Sequence, residues 1–135
     1  MGMALDLVQN LRAKTPDSWE PRAAKQHFFD AAGNLYTGEK LEEPSIGWTY
    51  GNFVNHFSTP VGKVPGGGEF LDLMHFDALI MGEDLQLAAL FLAELPLDRL
   101  RAVAEDPDET IERWEEINRF FQLAVKLPSG AVYES

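Results

Sequence analysis

The stretch DPDETIERWEEINRFFQLAVKLPSG, residues 106–130, gives the clearest indication of the fold. Asp106 can cap a helix, Pro107 suits the first helical position, and Glu109 completes a capping-box-like pair. Apolar side chains then recur at intervals of three or four residues, at Ile111, Trp114, Ile117, Phe121 and Val125. Acidic residues crowd the first turns, whereas Arg119 and Lys126 come late, which complements the helix dipole. The stretch therefore predicts an amphipathic helix that ends at 127–130.

The segments that precede this helix are apolar. Pro96 leads into apolar residues at helical spacing, which predicts a short helix from Leu97 to Ala104. In residues 69–82 and 85–95, apolar side chains occupy nearly every side of the chain. Their spacing fits a strand as well as a helix. One of these two segments is expected to be a central strand or a buried helix.

Residues 28–36, FFDAAGNLY, place apolar pairs on both sides of a turn. Asp30 can bond to the turn backbone, and Gly33 can adopt a positive φ because it has no Cβ. The segment predicts a β-hairpin. The string FDAAGNL at 29–35 also resembles one unit of the tyrosine–aspartate repeats of large bacterial shell proteins. The resemblance implies the same hairpin chemistry, and because the unit occurs once, it implies nothing about function.

Residues 44–68 are dense in glycine, proline and aromatic side chains. Glycines and prolines at this density break helices, so no long helix is expected here. Ile46, Trp48 and Tyr50 alternate along the chain, which predicts a short strand with one buried face. Residues 64–68, VPGGG, predict a turn or loop before the next element.

The N-terminal segment has apolar residues at helical spacing, namely Ala4, Leu7, Val8 and Leu11. This spacing predicts an amphipathic helix over residues 3–13. A turn at 15–17 and a short helix at 18–21 are expected next. The complete pattern predicts an α+β fold, in which a small, mostly antiparallel sheet packs with an N-terminal helix and C-terminal amphipathic helices. The 135 residues suit a single domain, 1–135, because no linker divides them.

Composition narrows the classes of function. The chain carries 22 acidic and 11 basic side chains, a formal net charge of −11, and it has no cysteine. Disulfides and thiol nucleophiles are therefore excluded. Nucleic acids and anionic membranes repel a strongly negative protein, so the expected partner is another protein with a basic surface, and a homodimer stays open. The start of the chain does not resemble a signal peptide, and we expect a cytoplasmic location.

Motifs for catalysis and metal binding are weak in this sequence. No serine lies in GxSxG, the glycines at 66–68 lack the order of a phosphate-binding loop, and the acidic run from Asp106 does not fit a calcium loop. No cofactor and no metal are expected. The weak catalytic candidates are His56, His75 and Asp77. The pair His75 and Asp77 would share one face of a strand, and His56 could add a base or a ligand.

Two functions of different classes follow from these residues. The first is a non-catalytic acidic protein-binding module of the inhibitor, immunity, chaperone or adaptor type, whose layout resembles that of small acidic secretion chaperones. Its candidate contact residues come from the acidic helix and from the aromatic, glycine-rich region: Trp48, Tyr50, Phe53, Glu109, Glu112 and Glu116. The alternative is a small enzyme or ligand-binding protein with a pocket lined by Trp48, Tyr50, His56, His75 and Asp77. A third hypothesis is mimicry of nucleic acid by the acidic helix.

Overall fold

One antiparallel sheet forms the centre of the fold in the computed structural model, which describes residues 2–14 and 26–135. Its strands lie in the order β2-β3-β1-β5-β4. They are β1 (Gly2–Ala13), β2 (Gln26–Phe29), β3 (Leu35–Thr49), β4 (Ala78–Met81) and β5 (Ala131–Glu134). Each pair of neighbouring strands is antiparallel. Helices pack against this sheet, so the predicted α+β class is confirmed.

The predicted N-terminal helix is wrong, because residues 2–13 form β1, which pairs with β3 on one side and β5 on the other. Met3, Leu5 and Leu7 alternate and are all buried in the larger core. Val8 faces the opposite side of the sheet and is also fully buried. A strand buried on both faces is apolar at adjacent positions, so its spacing can imitate a helix. The turn at 15–17 and the helix at 18–21 lie outside the described residues.

The predicted hairpin is confirmed by β2 and β3. Between them, the Asp30 carboxylate accepts hydrogen bonds from the backbone N–H groups of Ala32 at 3.0 Å and Asn34 at 2.8 Å. Gly33 has a φ of 87°, which a residue without Cβ adopts at little cost. The expected turn chemistry therefore sets the register of these strands.

The prediction that no long helix forms within residues 44–68 is wrong in part. Helix α1 (Tyr50–Phe53), a π turn (Val54–Ser58) and α2 (Thr59–Gly62) follow one another without a break. Thr49 caps this run by accepting a hydrogen bond from the backbone of Asn52 at 3.1 Å. The π turn widens the helix just before Pro60, where a regular α-helix would meet the proline ring.

The alternation predicted at 46–50 holds for the first two residues. Ile46 and Trp48 lie in β3 and are 3% and 5% exposed, whereas Tyr50 begins α1 and is 62% exposed. The segment predicted as a loop at 64–68 is a turn that passes into α3 at Gly67.

The remaining helices are α3 (Gly67–Asp72), α4 (Gly82–Glu94), α5 (Leu97–Val103) and α6 (Pro107–Ala124). The ambiguous segment 69–82 thus contains both a helix and a strand, α3 and β4, and segment 85–95 is almost entirely helical. The predictions for α5 and α6 are confirmed. The Asp106 side chain caps α6 by accepting from the backbone N–H of Glu109 at 3.2 Å.

Two apolar cores lie on opposite faces of the sheet. The larger one is covered by the helices and contains the fully buried rings of Phe57 and Phe121. The smaller one is formed by Val8, Phe28, Leu79 and Ala131, with partly buried residues around them. An isolated parallel bridge between Asp30 and Leu79 connects the end of β2 to β4, so the two outer strands of the sheet approach each other.

None of the helices in the described part of the chain has the length and the apolar character needed to cross a bilayer.

Candidate functional site

His75 and Asp77 lie in the turn before β4 and not within a strand. The Tyr133 hydroxyl donates a hydrogen bond to the Asp77 carboxylate, and the Asp77 backbone N–H donates to the Glu134 carbonyl at 2.8 Å. The charge of His75 acts instead on the Glu134 side chain. Tyr133 and Glu134 are consecutive in β5, so their side chains point to opposite faces of the sheet. The turn therefore holds the Asp77 carboxylate against Tyr133.

The chemistry of these two partners follows from their pKa values. Burial, the hydrogen bond to Asp77 and the negative charges of Asp77 and Asp6 raise the pKa of Tyr133 to about 12. The hydroxyl consequently stays neutral and acts as a donor. Burial also raises the pKa of Glu134, and the nearby charge of His75 lowers it in part. One Glu134 carboxylate oxygen, Oε1, is buried and has no hydrogen-bond partner within the described residues.

His56 lies in the π turn, beside the fully buried Phe57. Its ring is half-buried, and its Nδ1 atom is buried with no hydrogen-bond partner in the parts of the chain that the structure describes. Across residues 2–14 and 26–135, no three His, Asp or Glu side chains are arranged to hold a metal ion.

Trp48, a candidate for partner binding, connects β3 to α6. Its indole Nε1 donates to the Glu116 carboxylate at 3.0 Å. The Arg113 guanidinium lies 5.5 Å from the centre of the indole ring, at cation–π distance. Arg113 also pairs with Glu109 at 2.6 Å and with Glu116 at 3.5 Å. We call Trp48, Glu109, Arg113 and Glu116 the indole–arginine cluster, and its contacts are internal to the fold.

The other aromatic candidates divide between the interior and the surface. The ring of Phe53 lies 6.4 Å from Trp48 and 6.0 Å from Phe57, so it extends the buried aromatic packing. Tyr50, in contrast, presents most of its side chain to solvent. Of the three acidic candidates, Glu112 alone belongs to the exposed class, because Glu109 and Glu116 turn toward Arg113.

The outward face of α6, continued by the turn that follows it, carries a row of exposed side chains at intervals of three or four residues. This α6 stripe consists of Asp108, Glu112, Glu115, Arg119, Leu123 and Lys126, which are all exposed. Its first half is acidic, and its second half has two basic residues on either side of a leucine. We call Asp108, Glu112 and Glu115 the acidic patch. Asp108 also forms an ion pair with Arg101 at 3.3 Å, but its side chain is 95% exposed, so the pair contributes little.

Two grooves border the second half of the stripe. One, of about 260 Å³, lies between α6 and the β3 residues Pro44 to Ile46. The other, of about 280 Å³, is lined by Asn118, Arg119, Gln122, Leu123 and Lys126. Sequence reasoning did not identify Leu123 as a surface residue. Its position four residues after Arg119 and three before Lys126 is the signal that would have placed it on the outer face.

A third groove measures about 330 Å³ and lies where β1, α4 and the end of α6 meet. Its walls are mainly Leu11, Met81, Leu85 and Leu127, together with Ser129 and backbone from the adjoining turns. The histidines and Asp77 do not line it. Comparison with known proteins finds no family, no individual relative and no solved structure that matches this chain.

Proposed function

We propose that the protein is a non-catalytic binding module, whose protein partner presents a basic surface to the acidic patch of α6. The observation that carries this proposal is the exposure of Asp108, Glu112 and Glu115 on one face, separate from the acidic residues that the fold uses internally. In an α-helix these three residues span about 10 Å along the axis, which two or three Lys or Arg side chains can match.

The way in which α6 is held supports a binding role. Its start is capped by Asp106, and its inner face is buried through Ile117, Phe120 and Phe121. The patch is therefore presented on a fixed scaffold, which reduces the entropy lost when a partner binds. The net charge of −11 adds a long-range attraction that speeds encounter with a basic protein.

The described geometry gives less support to an enzyme or small-ligand pocket. Trp48 is 5% exposed and engaged by Glu116 and Arg113, while Tyr50 faces solvent. The Asp77 carboxylate accepts a hydrogen bond from the Tyr133 hydroxyl. These contacts favour structural roles for Trp48 and Asp77.

The proposal is tested with the variant Glu112→Gln/Glu115→Gln and the matched control Glu42→Gln/Glu43→Gln. Both pairs are exposed, and both changes remove two negative charges. The proteins are immobilised, exposed to native lysate at low salt, and retained partners are identified and then titrated by biolayer interferometry. We expect wild type and control to retain the same basic protein, and the α6 variant to bind it about tenfold more weakly.

Affinity should also fall as salt rises, and more steeply for wild type than for the α6 variant. Equal binding by both double variants, or a lack of any retained protein at low salt, would refute the proposal.

A further inference from the structure

The exposed surface of α4 is unusually apolar for a protein of this charge. Leu87 and Leu90 are 50% and 54% exposed, and they occupy one side of the helix between Glu83 and Glu94, which are also exposed. The spacing of four residues from Glu83 to Leu87, and again from Leu90 to Glu94, places all four on one stripe. The stripe therefore combines a leucine centre with acidic ends.

Helices α4 and α6 run side by side in opposite directions. Gln122 Nε2 donates to the Ala89 carbonyl at 2.8 Å, and Trp114 Nε1 donates to the Leu92 carbonyl at 2.9 Å. Residue numbers therefore increase along α4 in the direction in which they decrease along α6, as in an antiparallel helix pair. With a rise of about 1.5 Å per residue, these contacts place Leu87 within about one helical turn of the level of Leu123, and Glu83 within about one turn of the level of Lys126.

The two helices together expose a face with an acidic side and a basic side. On α4, Glu83 borders the leucines, and on α6, Arg119 and Lys126 border Leu123, which is 43% exposed. Within the described residues, neither Arg119 nor Lys126 forms an ion pair. This face adjoins the acidic patch, because Arg119 lies four residues after Glu115 on the α6 stripe. A contact made through Leu87, Leu90 and Leu123 does not rest on the proposed function.

We propose that this α4–α6 face binds a second copy of the chain, around a two-fold axis parallel to the helices. Rotation about such an axis places α4 of one copy against α6 of the other, and each residue keeps its position along the axis. Glu83 then opposes the partner's Lys126, and Leu87 opposes the partner's Leu123. Each contact occurs twice, so the end of the face that carries Glu83 and Lys126 is complementary to itself.

The groove beside Leu123 supplies the space for this packing. It measures about 280 Å³ and is lined by Arg119, Gln122 and Lys126, among others. A leucine from the opposing α4 enters this groove as a knob enters a hole, and the aliphatic stems of the basic residues cover it. Leu87 and Leu90 lose contact with water in the same step. The apolar contact supplies affinity, and the charges set the orientation.

The experiment is sedimentation equilibrium from about 10 μM to 1 mM in about 150 mM NaCl, where the Debye length of about 8 Å screens repulsion between the two acidic molecules. We expect a concentration-dependent dimer. Leu123→Glu should abolish it. Phe76→Glu adds the same charge at a residue that is 75% exposed and outside the face, so it should leave the dimer unchanged.

A charge exchange tests the arrangement itself. Glu83→Lys and Lys126→Glu should each weaken the dimer by about three- to tenfold, and the double variant should restore it. Circular dichroism of each variant confirms that the fold is retained. A monomer at every concentration, a dimer that survives Leu123→Glu, or a double variant that remains as weak as the single ones would each overturn the proposal.

Discussion

Replacing Glu116 by alanine is expected to destabilise the whole fold, although Glu116 is an acidic residue on the surface side of a helix. Its carboxylate accepts the hydrogen bond of the Trp48 indole at 3.0 Å and pairs with Arg113. Because Trp48 is 5% exposed, its N–H would lose its protein partner in a site with little access to water. The indole–arginine cluster thus stabilises the contact between β3 and α6.

The size of the effect follows from the exposure of each partner. A hydrogen bond to a charged group contributes about 1.5–3 kcal/mol. The Glu116 side chain is 37% exposed, so water already competes for it, and we expect a loss of about 1–2 kcal/mol. Trp48→Phe removes the same hydrogen bond and weakens the Arg113 contact, and it also leaves space in the core.

A double-mutant cycle separates these contributions, because the packing cost of Trp48→Phe appears on both sides of the cycle and cancels. The free energy of unfolding is measured by urea denaturation for the two single variants and the double variant, with far-ultraviolet circular dichroism as the signal. We expect a coupling energy of about 1–2 kcal/mol. Glu112→Ala on the same helix is the control and should change stability by less than about 0.5 kcal/mol. A coupling energy below about 0.3 kcal/mol would refute the stabilising role of this hydrogen bond.

Three further predictions concern backbone packing and pH. Gly67→Ala should destabilise the fold by more than about 2 kcal/mol in urea denaturation, because its Cβ would lie 1.8 Å from a backbone carbonyl oxygen. The control is Gly68→Ala, whose Cβ would meet no atom within 4 Å. This variant should be neutral or stabilising by up to about 1 kcal/mol. Since the pKa of Tyr133 is raised from 10.0 to about 12, its contribution to stability should be lost as pH rises through that interval, and Asp77→Asn should shift tyrosinate absorbance to lower pH; an unchanged titration would contradict the role of Asp77. The raised pKa of Glu134 means that its folded form binds a proton more tightly than its unfolded form, so stability falls as pH rises above 4.5. Glu134→Gln should therefore be more stable than wild type at neutral pH, and the difference should vanish in acid. Thermal unfolding of both proteins across this pH range checks this, and a variant less stable than wild type at neutral pH would contradict it.

The parts of the fold that sequence predicts correctly are those specified by neighbouring residues. The cap at Asp106 and the periodic apolar row define α6, and the Asp30 side chain defines the hairpin turn. The strand at the N-terminus was missed because Val8, buried on the opposite face, completes a helix-like spacing that obscures the alternation of Met3, Leu5 and Leu7. Its pairing with β3 and β5 depends on contacts distant in sequence, and no local pattern specifies them.

The same distinction applies to the candidate site. The ion pairs of Arg113 with Glu109 and Glu116 have helical spacing and could have been predicted from the sequence alone. The contact of Glu116 with Trp48 spans 68 residues and could not. Because that contact turns Glu116 inward, an acidic run that looks uniform in sequence divides into residues that serve the fold and residues that face solvent.

The approach of the outer strands at Asp30 and Leu79 limits the backbone edge that β2 and β4 offer to other chains. Partners that bind by strand addition, and fibrils that grow by cross-β stacking, both need a long row of free backbone groups. Here β2 is four residues long, and its end is bridged to β4. Bridging the outer strands in this way disfavours strand addition at the edges formed by β2 and β4.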